Sequence, residues 1–165
     1  MGMKSLDDLF HDTLRDVYYA EKKLVKTLPK LAKKVSDADL SKAFTNHLAE
    51  TQKQVGRLEQ VFEMIGKPAR GKKCEAMDGL VEEGDGVMED AETDAVLDIG
   101  VLAAAQAVEH YEIARYGALS SWAQVLGLSK AVKLLEATLA EEKAADELLS
   151  GIAERINTSA NEQDA

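Results

Sequence analysis

Glutamate and aspartate seldom occupy core positions of a helix, because a buried carboxylate loses its hydration unless a cation or a donor replaces it. This sequence places them there repeatedly. Late in the chain the apolar stripe Leu128, Val132, Leu135, Leu139 continues into Glu142 and Asp146 and resumes at Leu149, Ala153 and Ile156, at spacings of three and four. Early in the chain Leu14, Tyr18, Glu21, Val25 and Leu28 make one stripe with Glu21 at its centre. A further segment puts His47, Glu50 and Gln54 on one face, flanked by Ala43 and Leu58, and another reads Leu102, Ala105, Glu109, Glu112, Tyr116, Leu119. Several acids in one dry core raise one another's pKa values unless a cation neutralises them. Oxygen-rich ligands with little histidine suit iron or manganese, with magnesium or calcium also compatible. The chemistry to expect is a dinuclear metal centre bridged by glutamates.

Such a centre needs helices that bring the acids to one level. Ser5 is the expected N-cap of the first helix, with Asp7 and Asp8 in its first turn, and apolar spacing carries it past Pro29, where a kink is expected, to about Val35. The second runs from about Ala38 to Ile65 and is stopped by Gly66, Lys67 and Pro68. Residues 66–92 are glycine-rich, basic and then acidic, with a short helix expected from Glu75 to Met88. The third long helix runs from about Thr93 to Val125, and Gly127 and Leu128 turn it into the fourth, which ends near Ile156. Glu21 and Glu50 lie equally far from the first turn at residues 35 and 36. Counted from the second turn at 126 and 127, Glu109 is level with residue 144, between Glu142 and Asp146, and Glu112 with residue 141. With the second and third long helices parallel, all four groups converge within about one turn. Two antiparallel hairpins joined by a long crossover define an all-α, ferritin-like four-helix bundle. Residues 1–156 form that single domain, and 157–165, NTSANEQDA, a polar, frayed tail.

Composition narrows the partners. A length of 165 residues with 45% apolar side chains fits one helical domain. A net charge of −10 repels phosphate backbones and anionic lipid, so neither nucleic acid nor a membrane surface is an expected partner. Cys74 is the single cysteine, which excludes an internal disulfide and suits a reducing cytoplasm. MGMKSLDDLF holds no apolar stretch of signal-peptide length. The glycine-rich crossover lacks the spacing and the Lys-Ser or Lys-Thr of a phosphate loop.

The segments LDDLFHDTLRDVYYAEKKLVKTLPKLA, HLAETQKQVGRLEQVFEMIG, QAVEHYEIARYGALSSWA and TLAEEKAADELL resemble the YciE/YciF-type bacterial stress proteins over nearly the whole chain. The resemblance implies a ferritin-like fold related to rubrerythrin, a homodimer formed through helical faces, and a stress-linked role without an established reaction. One departure stands out. A standard di-iron bundle carries Glu-x-x-His on two helices, whereas here Glu50 is followed by Lys53 and Glu142 by Ala145. His47, one turn before Glu50, can substitute; His110 lies about 100° round the helix from Glu109, and His11 reads as a surface residue. Tyr18, Tyr19, Tyr111 and Tyr116 lie near the level of the acids and are candidate hydrogen-bond donors to them. The candidate ligands are therefore Glu21, His47, Glu50, Glu109, Glu112, Glu142 and Asp146. Two functions stay open. One is a di-metal protein reacting with a small oxidant such as dioxygen or peroxide, without the Cys-x-x-Cys pair of a rubredoxin-type electron path. The other is a metal-free homodimeric bundle acting as a structural or interaction protein, its acids sharing protons or pairing with Lys53, His47 and Gln54.

Overall fold

The computed structural model describes residues 2–163, and all regular structure among them is helical. Five helices follow in order: α1 (Leu6–Lys34), α2 (Ala38–Met64), α3 (Glu75–Asp90), α4 (Asp94–Val125) and α5 (Ser129–Gln163). Local chemistry sets their ends. The Ser5 side chain accepts from Asp8 N while Asp8 accepts from Ser5 N, a reciprocal capping box. Asp37 and Thr93 cap α2 and α4 through the side chain alone, accepting from Leu40 N and Val96 N. At the far ends, Gly66 (φ 66°) and Gly127 (φ 73°) supply the left-handed residue that lets the chain turn away. Lys67 N then donates to Phe62 O and Leu128 N to Ala123 O, closing a Schellman motif after each helix.

Helix α1 carries Pro29 inside one continuous 29-residue element. One expectation changes. Helix α5 does not end near Ile156 but runs to Gln163, so 157–163 is helix rather than frayed tail; residues 164 and 165 lie outside the described residues. Thr158 and Ser159 return their hydroxyls to Glu154 O and Arg155 O, which suits polar residues to a last, exposed helical stretch.

Helix α1 packs on α2 and α4, and α5 packs on α2 and α4, so each long helix has two long neighbours. At one end Asp98 of α4 accepts from Ser36 N, Ser36 Oγ and Asp37 N, and Arg155 of α5 reaches Asp37. At the other end Phe62 of α2 shares a core with Leu119 of α4 and Ala131 of α5. Helices α2 and α4 therefore run parallel, and α5 runs against both. Helix α3 lies on α1 and α4 and returns the chain between the ends.

The buried apolar side chains form two clusters instead of one. Leu24, Leu28, Leu40, Phe44, Val101 and Leu149 belong to the first, and Phe10, Leu14, Leu58, Phe62, Leu119 and Leu135 to the second. Several buried polar residues, including Glu21, His47, Thr51, Gln54, Glu109, Glu112, Thr138 and Glu142, lie at intermediate positions along the same helices.

Candidate metal centre

Each long helix sends an ionisable side chain into that polar layer: Glu21 from α1, His47 from α2, Glu109 and Glu112 from α4, and Glu142 from α5, all buried. Glu109 and Glu112 are three residues apart, which sets both on the inward face of α4. One ligand atom from each of His47, Glu109, Glu112 and Glu142 lies within 4.8 Å of the others. His47 Nε2 is 3.1 Å from Glu109 Oε1 and 3.5 Å from Glu142 Oε2. Thr51 donates to His47 O at 2.8 Å. Glu21 Oε1 accepts the hydroxyl of Tyr116, which is completely buried.

Much of the carboxylate capacity is unspent. Both oxygens of Glu112 and of Glu142, Oε2 of Glu21 and Oε2 of Glu109 are buried without a hydrogen-bond partner. An orphaned buried acceptor is costly, and here the orphans face one another. Burial, together with its neighbours Glu112 and Glu109, drives Glu142 far above the ordinary carboxylate range. Glu112 is raised in the same way by burial and by Glu21 and Glu109. Glu21 is pushed up to about 7, burial outweighing the Tyr116 hydroxyl and the nearby His47 that favour its charged form. Burial opposes protonation of His47, but Glu109, Glu21 and Glu50 outweigh it and push the imidazole up to about 9. The single imidazole leaves most of these oxygens without a partner. The donor set, oxygen-rich with one imidazole and several free lone pairs, fits iron or manganese and could hold a metal.

The remaining sequence candidates take other places. Glu50 stands at the rim with its side chain 42% exposed and Oε2 3.4 Å from His47 Nδ1. Asp146 is turned out between α4 and α5, where Oδ2 pairs with His110 Nε2 at 3.1 Å. Among the tyrosines only Tyr116 reaches the cluster; Tyr18 donates to Glu59, Tyr19 to Asp78 and Tyr111 to Asp16. Sequence reasoning passed over Arg57 and Glu141. Their bidentate pair, at 2.6 and 2.7 Å, also holds Gln54 Nε2 at 3.0 Å on Glu141 Oε2. The signal was faint: Glu141 directly precedes Glu142 and so reads as the outer of two adjacent acids.

Comparison with known proteins places this arrangement. The family described as a domain of unknown function, DUF892, matches residues 5–162. The chain belongs to this family. Within DUF892 it is 48% identical over 154 residues to Protein YciF of Escherichia coli K12, covering 93% of each chain. The crystal structure of the E. coli stress protein YciF superimposes with a TM-score of 0.91 at 46% identity, covering 94% of this chain and 99% of that one. YcfI from Rhodopseudomonas palustris matches with a TM-score of 0.87 at 47% identity, over 89% of this chain and 94% of that one. A Xanthomonas campestris protein, 22% identical, shares the fold with a TM-score of 0.73 over 97% of this chain and 99% of that one. This DUF892 chain is thus of the YciF type.

Proposed function

We propose that this YciF-type protein is a ferritin-like four-helix bundle, α1, α2, α4 and α5, with α3 in the crossover, built to hold a dinuclear iron or manganese centre. The observation that carries the reading is the set of unpartnered, buried carboxylate oxygens of Glu109, Glu112 and Glu142 gathered with His47, together with a further unpartnered oxygen on Glu21. Those five residues would hold the ions, and Glu50 at the rim would complete the set or admit a cation. Bound iron or manganese would supply Lewis acidity and one-electron chemistry toward dioxygen or peroxide. The chain's own contribution is positional. Tyr116 fixes Glu21 by donating to it, Arg57 and Glu141 hold Gln54, and the two apolar clusters flank the polar level on either side. The same reading has the protein act as a cytoplasmic homodimer. Among the described residues no helix is long and apolar enough to cross a membrane.

Metal analysis of protein purified without chelator tests the centre, together with thermal melts on adding manganese. Retained metal and a raised melting temperature are expected, both lost in Glu142→Ala and kept in Asp146→Ala. Protein that retains no metal and melts at the same temperature with or without manganese rejects the centre. His47 favours a second reading, since its imidazolium sits against Glu109 and Glu142 and can pair with them without any metal. The R. palustris relative carries a provisional description as a structural protein, which agrees with such a role. Under that reading manganese leaves the melting temperature unchanged, and Glu142→Gln, which removes one partner of the buried pair, lowers it.

A further inference from the structure

The buried cluster is approached from two opposite faces, and the two approaches differ in chemistry. Between α2 and α5 lies a cavity of about 170 Å³ whose wall includes Asn46, His47, Glu50 and Glu109. Between α1, α3 and α4 lies a narrower cavity of about 30 Å³, walled by Leu28, Leu80, Met88, Val101, Ala105 and Val108, that ends on His47 and Glu109. Apart from those two and Thr27, the polar residue on its wall is Asp85, exposed on the outer side of α3. The rest of the cavity's lining is almost wholly apolar, which favours uncharged, apolar guests over ions. Its volume admits about two water-sized spheres, the dimensions of a diatomic molecule.

We propose that the cavity between α1, α3 and α4 is a binding site for an uncharged, dioxygen-sized molecule, held beside the carboxylate cluster. Its role as a co-reactant site rests on the metal-centre reading; the binding itself does not. Ions and hydrogen-bonding molecules are excluded by the apolar walls and are left the wetter opening at Glu50. Two glycines let α3 lie close enough to make the outer wall. Gly84 is buried, and a Cβ there would touch Ala104 Cβ at 3.5 Å; a Cβ on Gly100 would clash with Val87 Cγ1.

The test uses the full-length, metal-free chain with ¹³C-labelled methyl groups under dioxygen pressure, the paramagnetic gas itself serving as probe. Relaxation of the Val101 methyls, and of the slightly less buried Leu28 and Val108, is expected to rise roughly threefold or more above that of Leu14 and Leu119, which are buried in the other cluster. Ala105→Leu, which fills the cavity from α4, should bring that enhancement down to the level of Leu14, and Leu80→Ala, which enlarges it, should raise it. Equal enhancement in both clusters, or no response to either variant, overturns the proposal. Manganese titration of the wild type and Ala105→Leu runs alongside, with equal affinity expected. Enhanced relaxation without manganese binding keeps the gas site and removes the metal centre; manganese binding without enhancement does the reverse.

Discussion

Tyr116 is completely buried, and its hydroxyl donates to Glu21 Oε1. It is the neutral donor among the tyrosines that reaches the acids, so its removal isolates the worth of that contact. Tyr116→Phe keeps the ring in its place beside Leu119 and leaves the carboxylate without a partner on either oxygen. The metal-free protein is expected to lose about 1–3 kcal/mol in urea unfolding, with a smaller loss when manganese satisfies Glu21. Asp98 is a second residue of this kind. It is buried and accepts three hydrogen bonds, from Ser36 N at 2.8 Å, Ser36 Oγ at 2.7 Å and Asp37 N at 2.8 Å. It thereby fastens the α1–α2 turn to the start of α4, far from the acids. Asp98→Ala should cost about 2–3 kcal/mol in unfolding while leaving manganese affinity unchanged. A large change in affinity would contradict the separation of the turn from the cluster.

At the scale of elements, α3 is the weak one. It carries Gly79, Gly84 and Gly86 inside 16 residues, and its last turn lacks a basic residue. A Cβ at Gly79 or Gly86 would meet nothing within 4 Å. Gly79→Ala and Gly86→Ala should therefore each stabilise by roughly 0.5–1 kcal/mol, read from denaturant midpoints. Gly100 on α4 has the opposite sign, because a Cβ there meets Val87 Cγ1. Gly100→Ala should destabilise by about 1–3 kcal/mol, and Val87→Ala in the same chain should recover most of that loss.

For the whole molecule, the two apolar clusters must bear the cost of the polar level between them, and that cost depends on pH. Glu21 is an acid whose value in the folded chain, about 7, lies above its unfolded one. Its protonation favours folding, and that advantage fades as pH rises from about 4.5 through 7. His47, raised to about 9, is a base whose contribution is whole below about 6.5 and is lost as pH climbs through 9. Both act in one direction. The metal-free protein should melt at progressively lower temperature between pH 5 and pH 9. Manganese competes with those protons, so the rise in melting temperature that it brings should grow over the same range. A metal-free melting temperature that is flat or rising across that window would show that the buried acids are already neutralised by something else.

Much of this was legible in the sequence because helical periodicity is local. Glu21, Glu109, Glu112 and Glu142 interrupt apolar stripes, and a residue that takes a core position at helical spacing faces inward whichever helix lies opposite. Equal distances from two short turns also set their common level, since an α-helix rises uniformly along its length. The cap at Ser5 and the stops at Gly66 and Gly127 are equally local chemistry. What spacing could not supply is the angle at which neighbouring helices meet. Glu50 and His47 share a face of α2, yet packing against α4 and α5 draws His47 into the cluster and leaves Glu50 at the rim. Asp146 sits in the same stripe as Glu142, but the α4–α5 contact turns it toward His110. The seat of α3 on α1 and α4, and with it the largely apolar cavity ending on His47 and Glu109, follows from long-range contacts that no single helix encodes. Periodicity determines which residues turn inward; only the joint packing of all five helices fixes which of them meet.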